Sequence, residues 1–276
     1  MNERFVDIGD VALAVIEAGH GGTPLLLVHG FTGCKEDFVD EIDRLAVLGH
    51  WVVAPDLRGH GTSSAPTTVE SYSLESFVSD MWGLVDAIGW SRFDLLGHSM
   101  GGMIVQMMIL ERPERVHRLV LMDTHHGAVG GVDPDLVELG IEVALTQGLE
   151  VIQQVLKLAD DPEKSKAYHR TVAERPGYAE FCDAKMLRCS PQMYAAMLPG
   201  LIGCPDRLTE LEGVDAPTLV LVGEWDESFV KASGRIAQAI PTARLEIIAE
   251  AGHCPQFEAQ AQWRVAVDGF FAASPS

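Results

Sequence analysis

Cations are scarce in this 276-residue sequence: 20 Lys and Arg stand against 40 Asp and Glu, a formal net charge of −20. A surface of that sign repels phosphate backbones and anionic lipid headgroups, so neither nucleic acid nor membrane is expected as a partner. No uninterrupted apolar run approaches the ~20 residues of a membrane span. The opening stretch MNERFVDIGD lacks the apolar segment of a secretion signal. Cysteine is sparse as well. Cys34, Cys182, Cys189, Cys204 and Cys254 are odd in number and form no C-x-x-C pair. That suits a reducing compartment, and a cytoplasmic location, better than a disulfide framework. No His/Cys/carboxylate cluster has metal-ligand spacing, and no G-x-G-x-x-G or P-loop follows an apolar run. Hence no metal and no cofactor is expected.

What is present is strand–helix alternation. RFVDIG and VALAVIEAG flank a Gly9-Asp10 turn signal and read as a hairpin. PLLLVHG (24–30) and WVVAPD (51–56) are continuous apolar runs that end in glycine or a polar residue, the pattern of strands covered on both faces. Helical spacing follows at Phe38, Ile42, Leu45 and Leu48. The alternation then repeats: helix 74–88, strand 92–98, helix 99–111, strand 115–122. It resumes with strand 218–223, a helix near 229–239, strand 243–249 and a last helix from about 256. The fold class expected is α/β, a doubly wound and mostly parallel sheet. Residues 127–212 show helical periodicity and no convincing strand, so they read as an inserted helical cap. The expected organisation is a core made of 1–126 and 213–276, interrupted by that cap.

Gly97, His98, Ser99, Met100 and Gly101 form G-x-S-x-G where an apolar strand gives way to an apolar helix. In that context a sharp, strained turn lifts the serine hydroxyl above the sheet, and the crowded positions two residues away must be small. The start of the following helix favours negative charge nearby. Ser99 is therefore the candidate nucleophile.

A serine hydroxyl needs a base. Of ten histidines, His29, His60 and His98 lie in motif turns and His117 in a strand, while His20, His50 and His169 read as solvated. His125 and His126 can line a pocket beside the cap. His253 lies in the loop after the last strand, which in a parallel sheet opens at the same carboxyl edge as Ser99. It is the candidate base. Two carboxylates reach that edge to orient it: Asp226, after TLVLVGEW, and Asp123, after RLVLMD. Position leaves both open, with Asp226 favoured by its place on the strand before that of His253. Asp123 can instead bond nearby backbone amides.

The motifs HGFTG (29–33), DLRGHGTS (56–63), GHSMGG (97–102), PERVHRLVLMDT (113–124), PTLVLVGEWDESF (217–229) and AGHCPQFE (251–258) stand in the order found in the α/β-hydrolase fold family, which the chain resembles over nearly its whole length. The resemblance implies a Ser99–His253–Asp226 triad. It also implies an oxyanion hole built from the backbone N–H groups of Phe31 and Met100, each such donor bringing ~10²–10³-fold in rate. Asp56, Arg58 and His60 match a motif that holds the loop beneath the site. Relatives that cleave epoxides or carbon–halogen bonds carry aspartate where Ser99 stands, so neither reaction is expected.

The function expected is cofactor-free hydrolysis of a small or medium carboxylic ester, thioester or lactone through an acyl-enzyme. The small-molecule acyl substrate would sit under the cap, against His126, Met193, Tyr194 and Met197, with Met186 and Leu198 close by. SMGGMIVQ is similar to enol-lactonases and related small-ester hydrolases. HGFTG and GEWDESF are similar to the menaquinone-pathway synthase that eliminates pyruvate to form succinyl-hydroxycyclohexadiene carboxylate. A lyase or C–C bond hydrolase of the same fold is thus the alternative. Against it, Met103 stands where that synthase carries arginine, and no tryptophan falls within 127–212. A perhydrolase-type activity would use the same triad.

Overall fold

The apolar runs form one eight-stranded sheet in the computed structural model, which describes residues 1–130, 133–160 and 165–272. Its strands are β1 (Asn2–Asp7), β2 (Ala12–Ala18), β3 (Thr23–Val28), β4 (His50–Pro55), β5 (Phe93–His98), β6 (Val116–Met122), β7 (Thr218–Gly223) and β8 (Ala243–Ile248). They lie side by side in the order β1-β2-β4-β3-β5-β6-β7-β8. The β1–β2 hairpin turns at Gly9-Asp10, and β2 runs antiparallel to β4. All other neighbours are parallel.

The helices are α1 (Val39–Val47), α2 (Leu74–Ala87), α3 (Met100–Glu111), α4 (Pro134–Gln147), α5 (Leu149–Leu158), α6 (Lys166–Glu174), α7 (Tyr178–Leu187), α8 (Pro191–Ile202), α9 (Leu208–Leu211), α10 (Glu227–Ala239), α11 (Pro255–Glu258) and α12 (Gln260–Ala272). Side chains alternate across a strand, so a strand with apolar residues at every position needs cover on both faces. Leu26, Leu95, Leu119 and Val220 point into a cluster with Phe77, Met81 and Ile104 of α2 and α3. Their neighbours Leu25, Leu96, Val120 and Leu219 point the other way, onto Ile42 and Leu45 of α1 and Trp263 and Val267 of α12. His50, expected in solvent, is buried because Phe271 of α12 lies against it with ring centroids 5.2 Å apart.

After β3 the chain crosses to β4 on one side, and it later enters β5 on the other side of β3. Such a reversal of strand order opens a crevice at the carboxyl ends of the strands. The loops after β3, β5, β6, β7 and β8 all emerge at that edge.

Between β6 and β7 the described residues hold six helices, α4 to α9, and no strand. Of the stretch 127–212, residues 131–132 and 161–164 lie outside the described residues. Specific bonds tie these helices to the crevice edge. The Ser190 N–H donates to the Gly59 carbonyl at 2.7 Å. The Arg170 guanidinium donates to the Glu250 and Glu258 carbonyls at 2.8 and 2.9 Å. Lys185 of α7 donates to Asp37 Oδ1 at 2.8 Å, deep enough that only 2% of the Asp37 side chain is exposed. Burial works against the Lys185 ammonium, but the Asp37 charge outweighs it and raises the group overall, so the pair stays ionised. No helix among the described residues is long and apolar enough to cross a membrane.

Candidate active site

Ser99 joins β5 to α3 at φ 55°, ψ −120°, a backbone conformation costly for any residue with a Cβ. Close packing forces the turn. A Cβ at Gly97 would lie 2.4 Å from the Gly101 carbonyl oxygen, and one at Gly101 would lie 2.2 Å from that of Val28. The two glycines are therefore what lets α3 start directly over the sheet. The Ser99 N–H donates to the Met122 carbonyl at 2.9 Å, and the Ser99 carbonyl accepts from Thr124 Oγ1 at 2.7 Å. Strain extends to the neighbouring loops. Thr32, Ser99, Asp123 and Glu250, the non-glycine residues with positive φ among those described, follow β3, β5, β6 and β8 in turn.

His253 Nε2 lies 3.0 Å from Ser99 Oγ, and its Nδ1 lies 2.7 Å from Asp226 Oδ2. The loop carrying it is clamped on both sides. Glu258 Oε2 accepts the N–H groups of Gly252 and Cys254 at 2.7 and 3.2 Å, and the His253 carbonyl meets His98 Nε2 at 2.7 Å. Burial, reinforced by the nearby His253, pushes the His98 imidazole down to about 3, so it is neutral and donates from Nε2. His29 is also buried: its Nε2 accepts the Leu57 N–H at 3.0 Å while Nδ1 faces the Gly30 carbonyl at 2.8 Å. Its partner ring His60 bonds the Arg58 carbonyl. Asp56 accepts the Lys35 and Thr62 N–H groups at 2.8 and 2.9 Å, bracing the turn under the site. These four hold loops. None touches Ser99 Oγ.

Asp123 is fully buried behind Asp226, with its Oδ1 accepting the Gly223 N–H at 2.8 Å. Among the described residues, Asp123, Asp226 and His253 are the group whose ligand atoms converge, all within 4.8 Å, as a metal site would require. Within it His253 Nδ1 already meets Asp226 Oδ2, while Asp123 Oδ1 is taken by the Gly223 N–H.

Beside Ser99, the loop after β3 comes very close. The N–H groups of Phe31 and Met100 donate to no backbone or side-chain acceptor among the described residues. Both residues border a cavity of about 230 Å³ that reaches Ser99 and His253. Its core side is apolar, formed by Phe31, Met100, Met103 and Phe229, with the Phe229 ring 4.8 Å from that of His253. Its other side comes from the β6–β7 segment: Val129, Leu198, Leu201 and Ile202. No lysine or arginine lines it among the described residues.

The expected substrate contacts lie apart from this cavity. Met193, Tyr194 and Met197 do not line this cavity; they are buried in the core, with Tyr194 packed on Phe31 at 5.0 Å. His126 is likewise absent from the lining, and its Nδ1 is held by Asp206 Oδ1 at 3.0 Å. The reason lies in the helix period. Leu198, Leu201 and Ile202 sit three and four residues apart on one face of α8, whereas Met193 and Met197 share the adjoining face. Both faces are apolar, so composition did not separate them. Tyr194, four residues before Leu198, falls on the cavity face by that spacing, but its ring is packed on Phe31.

Comparison with known proteins agrees with the fold. The alpha/beta hydrolase fold family matches residues 23–140. The 2-hydroxymuconate semialdehyde hydrolase of Pseudomonas putida is 30% identical over 274 residues, covering 91% of this chain and 88% of that protein. A protein of Bacillus subtilis (strain 168), provisionally assigned as 2-succinyl-6-hydroxy-2,4-cyclohexadiene-1-carboxylate synthase, is 27% identical over 265 residues and 90% of each chain. The structure of a thermophilic esterase from Thermogutta terrifontis superposes with a TM-score of 0.82 over 98% of both chains at 25% identity. The chain belongs to the α/β-hydrolase fold family.

Proposed function

We propose that the chain is a serine hydrolase that cleaves an uncharged carboxylic ester, thioester or lactone of small or medium size through an acyl-enzyme. The observation that carries this reading is the relay from Ser99 Oγ to His253 Nε2 at 3.0 Å and from His253 Nδ1 to Asp226 Oδ2 at 2.7 Å. Ser99 Oγ attacks the acyl carbon while His253 Nε2 takes its proton, and Asp226 holds the ring and stabilises the imidazolium. The free N–H groups of Phe31 and Met100 receive the developing oxyanion. His253 returns the proton to the leaving oxygen or sulfur, and a water deprotonated by the same ring then releases the acid.

The lining supports an uncharged, apolar acyl group. A buried carboxylate without a partner is costly, and the wall supplies no cation to meet one. The C–C hydrolase and lyase chemistries of the same fold form the second reading. Its support is the 30% identity to the semialdehyde hydrolase.

Fluorophosphonate labelling followed by mass spectrometry should place one adduct on Ser99. A p-nitrophenyl ester series from acetate upward should be turned over, with the hemisuccinate, which carries a carboxylate in its acyl group, a poor substrate. Failure to turn over any ester, with turnover of 2-hydroxymuconate semialdehyde instead, would replace the first reading by the second.

A further inference from the structure

The ester mechanism leaves Asp123 without a task, although its surroundings are as constrained as those of Ser99. Its side chain is 0% exposed, and its backbone is held at φ 44° by a bond from its N–H to the Leu221 carbonyl at 2.9 Å. Oδ1 accepts the Gly223 N–H. Oδ2 is equally buried and meets no donor among the described residues. The titratable groups that face this carboxyl are Asp226, within hydrogen-bonding reach, and Glu258 of α11, with His253 beyond Asp226.

Two carboxyl groups within hydrogen-bonding reach, one of them shut off from water, do not both ionise. One must keep a proton, and the partners decide which. Asp226 has the His253 Nδ1–H at 2.7 Å and is 11% exposed. Asp123 has a single backbone N–H and no solvent. Burial first, and then the Asp226 charge, push the Asp123 carboxyl well above the usual carboxylate range.

We infer that Asp123 is a neutral carboxylic acid whose Oδ2–H donates to the Asp226 carboxylate and holds it in the orientation in which Asp226 Oδ2 meets His253 Nδ1. Asp123 is then a positioning residue acting through Asp226. The inference rests on the reading of Ser99, His253 and Asp226 as the working triad. It explains the orphaned oxygen and the left-handed backbone together: the strained turn at the end of β6 aims one carboxyl oxygen at Gly223 and leaves the other for Asp226. A neutral donor there braces Asp226 without placing a second negative charge beside the imidazole.

The test compares Asp123→Asn and Asp123→Ala in the full chain. An infrared difference spectrum of wild type minus Asp123→Asn, taken near pH 8, should show a protonated-carboxyl C=O band. This measurement needs no turnover, so it stands or falls apart from the ester-hydrolase reading. Asn keeps an N–H for Asp226 and an oxygen for Gly223, and it exchanges one neutral group for another. The low-pH limb of kcat/KM should therefore stay in place in Asp123→Asn, whereas removing a real negative charge would move it by about a pH unit or more. Asp123→Ala removes the brace and should lower kcat about tenfold with KM little changed, the scale of one lost hydrogen bond to a charged group. Thermal unfolding of both variants separates that loss from misfolding. Absence of the band, a displaced limb in Asp123→Asn, or an Ala variant with undiminished kcat would each overturn the inference. So would an activity that a chelator removes, since a cation would then hold the two carboxylates.

Discussion

The backbone of Gly30 runs directly against Ser99: a Cβ at Gly30 would lie 2.8 Å from the Ser99 Cβ and 3.3 Å from its Oγ. No real Cβ is tolerated so near, so in Gly30→Ala the loop or the serine must shift. The loop carries the Phe31 N–H, one of the two proposed oxyanion donors. Gly30→Ala should therefore lower kcat toward the ~10²–10³-fold loss typical of removing one such donor. The rate of fluorophosphonate labelling should fall with it, while circular dichroism stays that of the wild type. An alanine variant as active as the wild type would show that this approach does not set the donor.

The proposed triad makes a sharper demand, because the members of such a relay act as a unit. Ser99→Ala should lose on the order of 10⁴–10⁶ in kcat, and Asp226→Asn about 10⁴. The double variant Ser99→Ala/His253→Ala should be no worse than the poorer single variant, since neither residue works without the other. Steady-state rates on the best ester decide this. Losses that multiply would mean that His253 acts elsewhere than on Ser99.

The sheet was legible because its central strands are apolar at every position, as in TLVLVG of β7, and only a doubly covered strand needs that. Ser99 and His253 were legible because the turn chemistry around them is local: glycines two residues either side, and a loop just after a strand. The choice of Asp226 over Asp123 was less so. Both end parallel strands at one edge, and only the three-dimensional position of the His253 Nδ1 separates them. The expected contacts Met193 and Met197 differ from the cavity lining because α8 is apolar on the face that meets the core and on the face that meets the cavity. The Lys185–Asp37 pair joins residues 148 apart in sequence, and nothing in either local stretch announces it.

Leu201 offers a test of whether the cavity beside Ser99 holds the acyl group. It lines the cavity from α8 and is only partly buried, so its truncation enlarges the space without opening a void in the main core. Leu201→Ala should move the optimum of the p-nitrophenyl ester series to longer acyl chains, through kcat/KM. Met197→Ala should instead lower stability by about 2–5 kcal/mol, as for a buried Met, and leave the chain-length optimum where it is. If the Met197 variant changes the optimum and the Leu201 variant does not, the cavity wall has been assigned to the wrong face.

Acid stability follows from the buried imidazoles. Burial pushes His60 and His98 down to about 3, from an ordinary value of 6.5. Above pH 6.5 neither folded nor unfolded chain protonates them, and their contribution to stability is fully present. As the pH falls below 6.5 the unfolded chain takes up protons that the folded chain refuses until about pH 3, so stability drops. Each such group contributes a slope of about 1.4 kcal/mol per pH unit in that window. Asp94, raised to about 6 by burial, works in the opposite direction over part of the same range. The slope of the wild type alone is therefore a mixture. The difference from His60→Asn removes Asp94 from the comparison, and the Asn amide can still donate to the Arg58 carbonyl in place of His60 Nδ1. Urea unfolding at several values between about pH 6 and pH 4.5 should give a wild-type slope steeper than that of His60→Asn by about 1.4 kcal/mol per pH unit. Parallel curves would mean that His60 is protonated in the folded chain. The turn beneath Ser99 would then carry a charge beside Lys35 and Asp56, not the neutral packing of His60 on His29 and Phe77.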